Sequence, residues 1–120
     1  MEVKMIEYRG KKIAYMDFRG AKDENDMITT LKQEYELERK LNERNLYRLA
    51  NFENTYLSQK FMDEAKKMGK DIAKNKTVKS AFVGIVGVKK ILLGAYIAFS
   101  GEKNFKTFDD EEDAKNWLVE

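Results

Sequence analysis

The 120-residue chain contains no cysteine, no histidine and no proline. Without cysteine there is no disulfide framework and no thiolate nucleophile. The joint loss of cysteine and histidine excludes nitrogen- and sulfur-ligated zinc, and with it imidazole acid–base chemistry. An excess of one charge is missing too: 23 Lys and Arg stand against 21 Asp and Glu, a net charge of +2. A dedicated nucleic-acid binder would carry a clear basic excess, so nucleic acid is not an expected partner. Long apolar runs are also absent. The cleanest, Ile91–Phe99, has nine residues, and a membrane span needs about 20. Charges from Glu2 to Asp17 interrupt the first twenty residues, which therefore hold no secretory h-region. A soluble, cytoplasmic protein is expected.

What remains is a globular mixture, 42% hydrophobic and 37% charged. A chain of this length buries roughly 65% of its unfolded surface, enough for one core and one domain. Val3–Tyr8 and Lys12–Arg19 read as a β-hairpin around Arg9-Gly10-Lys11. The second of these strands is apolar on both sides and is expected to be covered on both faces. Asp26 is a candidate cap for a first amphipathic helix, with Met27, Ile28, Leu31, Tyr35, Leu37 and Leu41 on its apolar side. Leu46–Asn51 is a third strand, and Leu57, Phe61, Ala65, Met68 and Ile72 step along a second helix. Thr77–Val86 reads as a buried parallel strand broken by Gly87. Val88–Phe99 is expected to be a well-buried third helix closed by Gly101. Phe105–Phe108 is a last strand, and Asp109–Val119 a terminal helix with Asp109 and Glu112 spaced as a capping box.

The order ββαβαβαβα predicts an α/β fold: one domain with a mostly parallel sheet of four to five strands and an N-terminal antiparallel strand. Three segments then carry a family resemblance. They are Val78–Lys90 with Gly-x-x-Gly-x-Lys-Lys at its end, Phe99-Ser100-Gly101, and Phe108–Leu118 with Phe-Asp-x-x-x-x-Ala-x-x-Trp-Leu. In that order they resemble the STAS-like domains, the fold of anti-sigma-factor antagonists, and in particular the bacterial STAS/SEC14-like branch. The resemblance implies a STAS-like fold and a role in partner or small-ligand binding without turnover. Regulatory STAS domains carry a phosphorylatable serine in Asp-Ser-Ser/Thr-Gly before the second helix. Here the stretch reads Asn51–Lys60, with no Asp before Ser58 and no Gly after it. A phosphoswitch is therefore not expected.

Two loops are the candidate surface for a ligand or partner. Gly84, Gly87, Lys89 and Lys90 form a strand-to-helix turn whose free N–H groups and ammonium groups suit an anion. The plainer reading is a tight turn with solvated lysines. Asn54, Thr55 and Ser58 are polar groups at a strand's C-terminal end, where open α/β sheets bind ligands. Their plainer reading makes Asn54 or Thr55 a helix cap. The lysines from Lys60 to Lys79 suit an acidic partner or simply a solvated face. Asp109–Asp113 is explained by the helix dipole without a metal. Tyr96, Phe99, Phe105, Phe108 and Trp117 are assigned to the core. No nucleophile stands beside a base, so no catalytic residue, metal or cofactor is expected. The expected function is a non-catalytic regulatory or protein-interaction module. Its partner is another protein, a homodimer included. The alternative is a carrier of a small anionic or amphiphilic ligand.

Overall fold

A computed structural model describes residues 1–120 and contains the predicted elements in the predicted order. The strands are β1 (Glu2–Tyr8), β2 (Lys11–Asp17), β3 (Asn45–Asn51), β4 (Thr77–Val83) and β5 (Asn104–Phe108). The helices are α1 (Glu24–Lys40), α2 (Gln59–Asn75), α3 (Val88–Ser100) and α4 (Glu111–Leu118). One sheet runs β1-β2-β3-β4-β5, with β1 antiparallel to β2 and every later pair parallel. No helix is long and apolar enough to cross a membrane.

The hairpin is tighter than predicted. Tyr8 already pairs with Lys11, so the turn is Arg9 and Gly10 alone. Both have positive φ, 49° and 82°, the geometry of the two-residue turn that matches strand twist. Strand β4 ends at Val83 rather than Val86, because Gly84 at φ 82° turns the chain out of the sheet. Three caps move. Asp23, not Asp26, caps α1 by accepting from the Asp26 N–H, and Asp110, not Asp109, caps α4 by accepting from Asp113. The loop before α2 is capped by Ser58, whose hydroxyl accepts from the Phe61 N–H, and not by Asn54 or Thr55. Gly101 ends α3 in the left-handed conformation at φ 78°, as the sequence predicts.

A parallel sheet in unbroken chain order, with right-handed crossovers, puts every crossover helix on one face. Helices α1, α2 and α3 therefore line up on one side and α4 alone lies on the other. The first face packs Met16, Phe18, Ala50, Phe52 and Phe82 against the three helices. The second packs Ile13, Tyr15, Leu49, Ala81 and Val83 against Ala114 and Leu118 of α4. Strand β2 is buried from both sides, as expected.

Two expectations of burial fail. Helix α3 is outermost, flanked by α2 on one side only, and Val88, Ile91 and Phe99 are 67%, 74% and 48% exposed. Phe105 is exposed as well, and Trp117 is half-buried, its ring 5.6 Å from Phe108 and 4.5 Å beneath the Lys79 ammonium. The fully buried anchors of α4 are Ala114 and Leu118. Leu118→Ala is expected to cost about 2–5 kcal/mol, and Trp117→Ala distinctly less. Chemical denaturation of the two variants checks the order.

Candidate functional site

The C-terminal ends of β3, β4 and β5 enclose a crevice of about 670 Å³ that brings together Asn54, Gly84, Lys89 and Lys90. It opens between α3 on one face and α4 on the other, the kind of place where α/β sheets bind ligands. Thr55 and Ser58 are not among its lining residues. The Thr55 hydroxyl donates to the Phe52 carbonyl at 2.6 Å, and Ser58 is occupied as the α2 cap.

The crevice has little free chemistry for an anion. Lys89 is 8% exposed and donates from Nζ to the Phe52 carbonyl at 2.8 Å. Burial lowers its pKa, partly offset by the nearby Glu53 carboxylate. The lysines Lys89, Lys90 and Lys106 face Glu53, Asp109 and Asp113 across the same space. Gly84 has a packing role, since a Cβ there would collide with the Glu53 backbone. Gly87 meets nothing but needs its positive φ of 62° to start α3. Together these residues latch the β3–α2 loop to the β4–α3 loop, and Lys90 and Lys106 line the space without an ion pair.

A second polar cluster stands at the ends of β2 and β3. The Glu111 carboxylate accepts from the Tyr15 hydroxyl at 2.6 Å and from the Asn51 amide at 2.7 Å. Arg19 lies 3.5 Å from it and clamps Asp17 through two nitrogens at 3.0 Å. Burial and Glu111 hold the Tyr15 phenol protonated. This cluster pins the start of α4. The acidic run has no group of three acids placed to hold a metal.

The most unusual chemistry is one that no sequence motif marked. Arg48 of β3 is buried between the sheet and α1, at 4% exposure. Its Nε and Nη2 donate to Glu38 at 2.7 and 2.6 Å, a bidentate pair. Its Nη1 reaches Glu102 at 3.1 Å, Ser80 at 3.2 Å and Tyr96 at 3.3 Å. A third carboxylate, Glu34, lies 3.6 Å from Nε and its Oε1 is buried without a hydrogen bond. Burial opposes charge on both partners. It raises Glu38, and the surrounding carboxylates hold Arg48 charged. Burial likewise pushes the Tyr96 phenol well up, so it remains neutral.

The signal for this cluster is parity. Arg48 shares the inward phase of Leu46 and Ala50, and Ser80 that of Val78 and Phe82. Glu34 and Glu38 lie at i and i+4 on the stripe of Met27 and Leu31. Gly69 is part of the same arrangement. A Cβ at this mid-helix position would strike the Tyr96 hydroxyl and ring.

Beside the cluster lies a small, partly open pocket of about 60 Å³ under α2, lined mostly by apolar side chains and reached by Glu34, Glu38 and Arg48.

No protein-family model, no curated protein and no solved structure matches the chain.

Arg48→Met is expected to cost about 3–5 kcal/mol by stranding three carboxylates, and Arg48→Met with Glu38→Met to cost less than the single change. Equilibrium denaturation measures both. Gly69→Ala is expected to lower stability by roughly 1–2 kcal/mol despite its better helix propensity, because Tyr96 is displaced. Gly94→Ala on α3, where the Cβ meets only solvent, is expected to raise it by about 0.5–1 kcal/mol. Thermal melts of the pair check the opposite signs.

Proposed function

We propose that this protein is a non-catalytic interaction module that docks an acidic amphipathic helix of another protein on α3. The observation that carries the reading is the bare outer side of α3. Val88, Ile91, Gly94, Ala95, Ala98 and Phe99 are all exposed, and no charged residue falls between Ile91 and Phe99. A continuous apolar face on a soluble domain marks an interaction surface. Its small residues admit close approach of a second helix, and Ile91 and Phe99 are the anchors.

Charge selects the partner. Helix α3 carries Lys89 and Lys90 and no acid. Lys90 is exposed at one end, and at the other Lys70 of α2 lies 5.2 Å from the Phe99 ring. Exposed Lys60, Lys67 and Lys74 lie on the outer side of α2, with exposed Asp63 among them. Lys76 and Lys79 do not belong to this basic border, because they donate to backbone carbonyls of Leu41, Glu43 and Trp117. An apolar stripe with a basic border complements an apolar stripe with an acidic one. A second copy of the chain fits poorly. An antiparallel pairing of two α3 helices would set Lys90 of each against the Lys70 end of the other. The STAS-like resemblance of Val78–Leu118 implies the same class of role, here without the serine switch. An anionic small ligand is less well supported, given the balanced charges of the strand-end crevice.

A displayed library of random helical peptides, selected against the full chain, tests the proposal. Enriched sequences are expected to repeat apolar residues at three- and four-residue steps beside Glu and Asp. Ile91→Glu is expected to abolish their binding, and added salt to weaken it. Enrichment without acidic residues, or binding indifferent to Ile91→Glu, overturns the reading. So does an Ile91-dependent dimer in sedimentation, or Ile91-dependent capture by vesicles of phosphatidylserine and phosphatidylcholine.

A further inference from the structure

From the cavity and the charges that face it, we infer a binding site for a small organic ammonium ion under α2. Three carboxylates, Glu34, Glu38 and Glu102, are gathered around one guanidinium. Each is less than 7% exposed, so water does little to compensate them. The hydrogen bonds of Arg48 go to other groups, Nε and Nη2 to Glu38 and Nη1 to Glu102, Ser80 and Tyr96, and its Nε stays 3.6 Å from Glu34 Oε1. The Glu34 Oε1 atom is left as a buried acceptor with no donor. An unmet buried carboxylate oxygen is costly, and the group that satisfies it best is a positively charged donor.

Space for such a group exists beside it. The pocket, about 60 Å³, borders Glu34, Glu38 and Arg48 and is otherwise walled by apolar side chains such as Leu31, Ala65 and Phe82. Half-buried Tyr35, Leu57, Met68 and Leu93 form its outer parts. A benzene-sized guest needs roughly 150 Å³ on the same measure, so the enclosed space takes the ammonium and about one or two carbons, and any further carbon lies between the half-buried outer residues. The geometry thus specifies an ammonium head on Glu34 with a short aliphatic tail among Leu31, Ala65 and Phe82. A carboxylate head would add a fourth negative charge to the group, so anionic ligands are excluded from this space. The site is separate from α3's outer side, and the two inferences stand or fall independently.

The test uses the full chain and n-propylammonium chloride, with 1-propanol, sodium propionate and sodium chloride at equal concentration as comparisons. Backbone amide NMR shifts and thermal melts are the readouts. Propylammonium is expected to shift the amides of Ala65 and Gly69 in a saturable manner and to raise the melting midpoint, and the other three to do neither. Glu34→Gln is expected to weaken that binding by at least about tenfold, the loss of a charge-assisted contact. Because Glu34→Gln can disturb packing, Ala65→Leu provides a second variant. It fills the cavity with the carboxylate intact and is expected to abolish binding. Equal binding of 1-propanol, undiminished binding by either variant, or no saturable shift with propylammonium overturns the proposal. The last result leaves water as the donor to Glu34.

Discussion

The buried Arg48 guanidinium is the constraint on which one whole side of the molecule depends. It projects from β3 and is held by α1 through Glu38 and by the segment after α3 through Glu102, while Tyr96 of α3 closes over it. One side chain thus ties the sheet to its first and last crossover helices. Such a group gives orientation more than net stability, because desolvation consumes most of its Coulomb energy. What it enforces is position. Apolar helices can slide on an apolar sheet, but a bidentate carboxylate on a fixed fork cannot. Gly69 belongs to the same constraint. A helix interior tolerates glycine at a cost of about 1 kcal/mol, and here the missing Cβ makes room for the phenol that completes the guanidinium's shell.

The unbroken strand order has a second consequence, for α3. With three crossover helices on one face, the last is bordered by α2 on one side and by nothing on the other. Its sequence is nevertheless apolar almost throughout. A helix of that composition is buried in an ordinary domain, and in this one half of it faces water. The strand-end loops show the opposite economy. Lys89, Gly84 and Ser58 look available in the sequence, yet each is committed to a neighbouring backbone group. The reactive-looking residues are spent on holding the loops, and the bland ones form the open surface.

The sequence by itself determined the element order, the mixed sheet and the burial of β2 from both sides. Those features rest on local periodicity: alternation along strands, three- and four-residue steps along helices, and glycines where φ turns positive. The resemblance in Val78–Leu118 added an expected fold and class of role from outside the chain's own pattern. Periodicity identifies an apolar face but says nothing about how many neighbours it has. Hence the periodicity predicts a buried α3 and an anchoring Trp117, where Ala114 and Leu118 are the buried anchors. Cap positions were off by one to four residues for a related reason. Asp23, Ser58 and Asp110 compete with acceptors of equal chemistry next to them, and the backbone path decides between them.

Only the tertiary structure decided the buried charge cluster. Glu34 and Glu38 of α1, Arg48 of β3, Ser80 of β4 and Glu102 after α3 come from four separate segments, and no sequence motif joins them. Their phases on the helix and strands were visible, and a charged residue in an apolar phase is a usable sign. Which charges meet is set by the parallel register that puts Arg48 beside Ser80 and by the crossovers that lower α1 and α3 onto that pair. Burial strengthens those contacts and leaves Glu34 without a donor. That effect belongs to the assembled interior, because in the unfolded chain water solvates each of these groups separately.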